Sequence, residues 1–460
     1  PRIDFLGNTN GALLLEPQRT NLITQSEAFD NSYWTKSGAT IQGDPSTAGA
    51  NLISSSTVNS SYTTFDGASA DGFHAIWGSG TERGGTADEI VFELGKMYKV
   101  EFNLSLASGA VPFLRARASY FVCDSAMTGL LEFSNSSASE YTISGLTTKE
   151  VQGFTSPSAD SPLNAFKLVE GASGLGVVDH NITSTAISIS NTTIYTAHSY
   201  IQAGENNIIG VQDTINSQYW ATVNLSTGAI LDEKTAGMTK VVSMANGFYK
   251  ISSTFTSNTT SAKTGIYLLP NSYTTGRPSD QDYTGDGTSG VYIFGAQLES
   301  SYPTSYIPTQ GSTVTRNLET CSQTVPDGII GQTEGTMFFE GVIYGENSSV
   351  NRRIFTISNG TSSTGISIQT PSQNSKLEFE VTNGGNTQVF IASANNSLVY
   401  GQSFKAAFAY KSNDFVAYVN GNQIAVDTNG TVPLCNKVSF DRGNDTSNFE
   451  GSTNQTQLYN

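Results

Sequence analysis

Short apolar alternations, each cut off by turn residues, are what this chain is written in. Runs at residues 194–201, 208–211, 219–223, 241–244, 248–255 and 265–269 are separated by turn formers such as Ser226-Thr227-Gly228 and Ala245-Asn246-Gly247. A period of two buries one face of a strand, and Gly, Asn and Ser end each run before a helix-length pattern can build. Strands of this length at this spacing point to a sandwich or jelly roll. The sharpest hairpin signal is Asn420-Gly421, between the alternating runs 415–419 and 422–426, because both turn residues accept positive φ. Composition agrees: charged residues are 13%, against about 25% in ordinary soluble domains. The Lys and Glu that usually coat helices are replaced by Ser, Thr, Asn and Gly, so the chain is expected to be all-β. Its 460 residues leave room for about three domains of about 100–200 residues each.

The formal net charge is −16 and the sequence pI about 4.6. No Lys/Arg cluster offers the basic footprint that nucleic acid requires, and the same repulsion argues against anionic lipid. No run approaches the ~18 apolar residues of a membrane span, so no membrane insertion is expected. Cys123, Cys321 and Cys435 are far apart and odd in number, without a Cys-x-x-Cys pattern, and read as buried thiols more readily than as a disulfide pair. Pro1 is not an initiator Met, which reads as a fragment.

Catalytic signatures are missing from the sequence. It holds no Gly-x-Ser-x-Gly elbow, His-Glu-x-x-His or phosphate loop, and His74, His180 and His198 are scattered. Asp179 could orient His180 as a base, but no nucleophile lies near it in sequence. Glu378 and Glu380 alternate on one strand face, at the roughly 7 Å of two strand residues. Leu377, Phe379 and Val381 fill the other face, so both carboxylates are expected to face water. Sugar binding needs flat aromatic faces outside the core with polar groups beside them, and the candidates are Trp77, Tyr219 and Trp220. Calcium wants hard oxygens on Gly-bearing loops; Asp282 with Asp286, and Asp441 with Asn444 and Asp445, offer them. The same residues also suit turns in which Asp accepts its own loop's N–H groups.

Residues 289–316, SGVYIFGAQLESSYPTSYIPTQGSTVTR, combine an alternating strand with a segment stiffened by Pro303 and Pro308. Proline fixes its own φ and biases its predecessor toward extended backbone, so an extended strap is expected to follow the strand and lead into the next domain. GAQLE…SYPTSYIPT…STVTR resembles a segment of tail-fibre, head-spike and adhesion proteins of tailed bacteriophages. A second matching piece runs from Gly11-Ala12-Leu13-Leu14-Leu15-Glu16-Pro17-Gln18-Arg19-Thr20-Asn21-Leu22 to Tyr33-Trp34-Thr35-Lys36-Ser37-Gly38.

The resemblance implies tandem β-sandwiches: a jelly roll at residues 1–43 and 153–318, then a concanavalin A-like/laminin-G-like sandwich at 319–460 whose final strand is expected to be cut short. In that family the Trp-Thr-Lys-Ser-Gly strand runs into a Pro-bearing loop and an Ala-x-Lys-Leu strand. Here that continuation appears only at Phe154 to Pro157 and Ala165 to Leu168, which implies an inserted β-sandwich at 44–152. The family's glucanase-type members carry a Glu-x-Asp-x-x-Glu strand, absent here, so no enzyme is expected. The resemblance implies a protein of the virion surface that contacts host cell-surface polysaccharide and other virion proteins as a homo-oligomer, a trimer being common among such fibres. Two alternatives are a structural decoration or connector of capsid or tail, and a polysaccharide-degrading enzyme.

Overall fold

The computed structural model describes residues 11–43, 51–53, 138–150, 153–157, 164–172, 178–344 and 351–460, together with residues 2–4 and ten strands within 56–135. The described residues form an all-β chain of antiparallel sheets without an α-helix.

Two six-stranded sheets make the first sandwich. One runs Thr239–Ser243, Tyr249–Thr256, Ile194–Ala203, Gly290–Ser300, Phe166–Glu170, Ala39–Gln42; the other runs Ala229–Glu233, Trp220–Asn224, Ile208–Asp213, Thr264–Leu269, His180–Thr183, Thr35–Ser37. The alternation seen in sequence sends Ile201, Ile293 and Leu298 from one sheet against Ile182, Ile209 and Leu268 from the other, with Phe29 and Trp34 closing the core. Ile41 pairs with Leu168, and Phe154 bridges Ala165, so the chain leaves and rejoins this sandwich beside one strand. Between those points, the described strands from Ser56–Val58 to Ser139–Glu150 pair only with one another, around Phe73, Tyr98, Phe133 and Tyr141.

The last sandwich faces a six-stranded sheet (Ser322–Thr324, Lys437–Ser439, Arg352–Ser358, Gly365–Thr370, Glu378–Asn383, Asn386–Ala392) with a seven-stranded one. Phe339, Ile357, Ile366, Phe379 and Phe408 fill the space between them. Asn420 and Gly421 adopt φ of 50° and 82° between paired Val419 and Asn422, the hairpin expected from sequence. The strand Gly451–Tyr459 runs along Glu334–Ile343 from Gly451 to Tyr459, inside the seven-stranded sheet.

The N-terminal segment differs from expectation. Ala12–Leu15, assigned from sequence to the first sandwich, pairs with Gly451–Tyr459 of the last one, and Arg2–Asp4 extends that sheet further. Gly451–Tyr459 would otherwise expose its backbone as a sheet edge, and Leu15 gains burial at 1% exposure in the C-terminal core. Only after it does the chain reach the first sandwich, where Asn21 receives the N–H of Leu298 and donates to the carbonyl of Ala296.

The strap after Gly290–Ser300 is irregular and extended, as its prolines require. It lies on the outer face of the first sandwich. Thr304 donates from its N–H and its hydroxyl to Glu299 at 2.8 and 2.6 Å, and Ile307 N–H donates to Gln297 at 2.7 Å. Beyond it, Arg316 pairs with Glu16 at 2.9 Å, while Tyr302 donates to Glu450, which also holds Arg352 at 3.0 Å.

Candidate functional site

The aromatic residues singled out in the sequence do not form one platform. Tyr219 is a core residue, 2% exposed and stacked on Phe255 with ring centroids 5.0 Å apart. This corrects its reading as a surface aromatic. The pattern held the signal: Tyr219, Ala221, Val223 and Leu225 share one period-two face, and all four are buried. Trp220 consequently points to the opposite face and is half-buried. The Trp77 side chain lies outside the described residues, as does Cys123, while Cys321 and Cys435 are free thiols.

The aspartates serve their own loops. Asp286 accepts the N–H groups of Thr288 and Ser289 at 2.7 Å and both their hydroxyls, which holds its carboxyl well below the usual range. Asp282 faces Asp179, whose pKa rises to about 6 through burial and then the Asp282 charge. Asp441 accepts the N–H of Gly443 and that of Asp445. Among the described residues no group of three or more His, Cys, Asp or Glu is placed to hold a metal, so the calcium expectation finds no assembled centre.

The histidines are equally committed. His180, 1% exposed, has its ring nitrogens engaged by backbone groups, Nδ1 by the Gly171 N–H and the Gly38 carbonyl and Nε2 by the Tyr283 carbonyl, so Asp179 does not orient it as a base. His198 is 3% exposed, and burial drives its pKa well down.

The arrangement with a binding geometry is the outer face of the six-stranded sheet. Its antiparallel register sets three polar rows across neighbouring strands. Arg353, Gln369 and Glu378 form one; Ser439, Thr356, Ser367, Glu380 and Phe390 form the next; Lys437, Ser358, Gly365, Thr382 and Thr387 form the third. Glu378 and Glu380 do not simply face water, contrary to expectation. Arg353 Nη1 holds Glu380 at 2.9 Å, Lys376 holds Glu378 at 3.3 Å, and the Gln369 amide donates to both carboxylates at 3.1 and 3.4 Å. Period two gave their face correctly. It gave no sign that Arg353, from a strand distant in sequence, would meet them.

Carboxylates so pinned are poor candidates for proton transfer in glycoside cleavage, which needs one free acid and one free base or nucleophile across the bond. Glu378 is buried, whereas Glu380 is partly exposed and can accept a hydroxyl hydrogen bond from a fixed position. At the sheet edge, directly across from Glu380, Phe390 is 50% exposed. At the other end a small recess of about 10 Å³ opens between Arg353 and the loop residue Arg442, with Ser358, Ser362, Thr364 and Thr382 in its wall. Sequence reasoning missed Phe390, Arg353 and Arg442. Phe390 could have been found as an apolar residue on the polar phase of its strand, opposite Val389 and Ile391, which are buried.

No protein-family model matches the chain, and no curated protein matches it. Solved structures resemble parts of it. The CBM40 of the Ruminococcus gnavus IT-sialidase, bound to α2,3-sialyllactose, is 14% identical over 28% of this chain and 77% of its own, with a TM-score of 0.24. Mouse laminin α1 domains LG4–5 are 12% identical over 59% of this chain and 86% of theirs, TM-score 0.22. Sheep galectin-11, in complex with glycerol, is 12% identical over 30% of this chain and 96% of its own, TM-score 0.22. Likeness at this level carries no argument about what this chain binds.

Proposed function

We propose that the chain is a non-catalytic glycan-binding protein displayed on a surface. The residue motifs at both ends of the first sandwich support a more specific reading, an attachment protein on a tailed-bacteriophage virion that engages host-surface polysaccharide. The observation that carries glycan binding is the row ending on Phe390. An exposed aromatic face stands beside the partly exposed Glu380 carboxylate and the exposed Thr387 hydroxyl, the combination that a sugar's apolar face and its hydroxyls call for. In this reading residues 44–152 are a module carried on the first sandwich, and the strap fixes the C-terminal sandwich in a presenting position. Several copies on one particle would raise avidity about 10²–10⁴-fold over a weak single site.

The test is a glycan array probed with a multimer of the full chain and of Phe390→Ala. Binding of a defined set of saccharides that falls at least about tenfold in the variant supports the reading. An array without any binding by the wild-type multimer overturns it.

A further inference from the structure

The pocket at the far end of the rows from Phe390 has a different chemistry. Arg353 and Arg442 both line it, and hydroxyls make up most of the remaining wall; none of the described residues lining it is a carboxylate. Glu380 bonds Arg353 from outside that wall, at Nη1, and thereby fixes the plane of the guanidinium. The Arg353 Nε atom and the Thr356 hydroxyl are buried without a protein partner. Arg353 itself is 7% exposed and Thr356 4%. A buried polar atom left unmatched costs more than an ordinary hydrogen bond returns, so these two, side by side in one recess, leave room for a water or a ligand oxygen to complete the set. Arg442 stands exposed at the mouth. In a chain of net charge −16, two guanidiniums converging on one hydroxyl-lined pocket form a local exception to the overall field.

A guanidinium fork matches the planar oxygens of a carboxylate and the tetrahedral oxygens of a sulfate or phosphate ester. The space inside, about 10 Å³, takes one oxygen of such a group with the rest of it at the mouth beside Arg442, and not a whole sugar residue. From Thr356 to Phe390 the row crosses three strand spacings, roughly 14 Å, the reach of a short oligosaccharide.

We propose that this pocket seats an oxyanion carried by an acidic oligosaccharide, a sugar further along the same oligosaccharide resting on Phe390. The inference depends on the glycan-binding reading and narrows it to charged saccharides. Arg442 acts as the gate cation and Arg353 as the fixed inner one. Ser362 forms part of the wall, so a large apolar side chain there fills the space.

Calorimetric titration of the full chain with three probes tests this: oligogalacturonate for a carboxylate, a short dextran sulfate for a sulfate ester, and unmodified dextran oligomers as the neutral control. The expected result is that at least one acidic probe binds more tightly than the neutral one. Its affinity should fall about tenfold or more in Arg442→Gln, the loss of one charge-assisted bond, and also in Ser362→Leu. The melting temperature of Arg442→Gln should stay unchanged, since the side chain is exposed. Whichever acidic probe responds identifies the oxyanion. Equal binding of acidic and neutral probes, or acidic binding indifferent to both substitutions, overturns the pocket's role while leaving Phe390-dependent glycan binding standing. No binding of any saccharide, here and on the array, overturns both.

Discussion

Two sheets in this molecule turn polar outer faces away from their cores, and the two faces end in opposite states. In the first sandwich, His198, Gln297 and Glu299 lie on the outer side, and the strap at residues 302–309 closes over them until Gln297 and Glu299 are fully buried. In the last sandwich, Arg353, Gln369 and Glu380 form a comparable network; Arg353 and Gln369 are buried too, but Glu380 is partly exposed and the row runs out to Phe390, 50% exposed at the sheet edge. The chemistry of the two sets is similar. What differs is what covers the outermost groups. Where backbone N–H groups of the strap satisfy the Glu299 carboxylate, the polar face is a joint; where the row reaches an edge strand without a strap, Glu380 and Phe390 stay accessible.

That contrast predicts a graded set of effects. The largest belongs to Glu299. Glu299→Leu removes the acceptor for Thr304 N–H, the Thr304 hydroxyl and the Gln297 amide, and it strips the counter-charge from Lys250. Breaking one partner of a buried charged network should cost about 3–5 kcal/mol, read by denaturant unfolding, with the strap released. A loss near zero would mean that the strap is not held by this network.

Lys250 comes next. Its amine donates to the Thr304 carbonyl at 2.6 Å under the strap, and burial pushes its pKa down to about 8 from 10.5, against the pull of Glu299. Because the folded value is the lower one, this contribution to stability is complete above about pH 10.5 and is lost as pH falls through about 8, up to about 3 kcal/mol in all. Unfolding measured between about pH 7 and pH 10 should therefore show stability rising with pH in the wild type and a flatter profile in Lys250→Met.

On the open face, Glu380→Gln leaves Arg353 without its anion, at 16% and 9% side-chain exposure respectively. The expected loss is about 1–3 kcal/mol, with weaker saccharide binding alongside it. Phe390→Ala should change stability by less than about 1 kcal/mol while abolishing binding, the reverse of Glu299→Leu, whose site lies under the strap. Smallest of all is the effect of a chelator. EDTA is expected to leave the melting temperature unmoved, since Asp286 and Asp441 already accept N–H groups of their own loops.

The strand alternation, the Asn420-Gly421 hairpin and the proline-stiffened strap were legible in the sequence because each rests on local backbone chemistry. The partner of Ala12–Leu15 was not. A four-residue apolar run says that it will be buried but not against which sheet, and pairing with Gly451–Tyr459 is decided by two segments over four hundred residues apart. The same limit explains the site. Alternation put Glu378 and Glu380 on the outer face and could have put Tyr219 inside, whereas the row joining Arg353, Gln369 and Glu378 exists only through cross-strand register.

The most direct measurement is hydrogen exchange on the full chain with and without the saccharide selected on the array. Protection should appear in Arg352–Ser358, Gly365–Thr370 and the loop carrying Arg442, with the strap at 302–309 equally slow in both states. Protection confined to the first sandwich, or a strap that exchanges fast without ligand and slows on binding, would contradict the division into a closed joint and an open binding face.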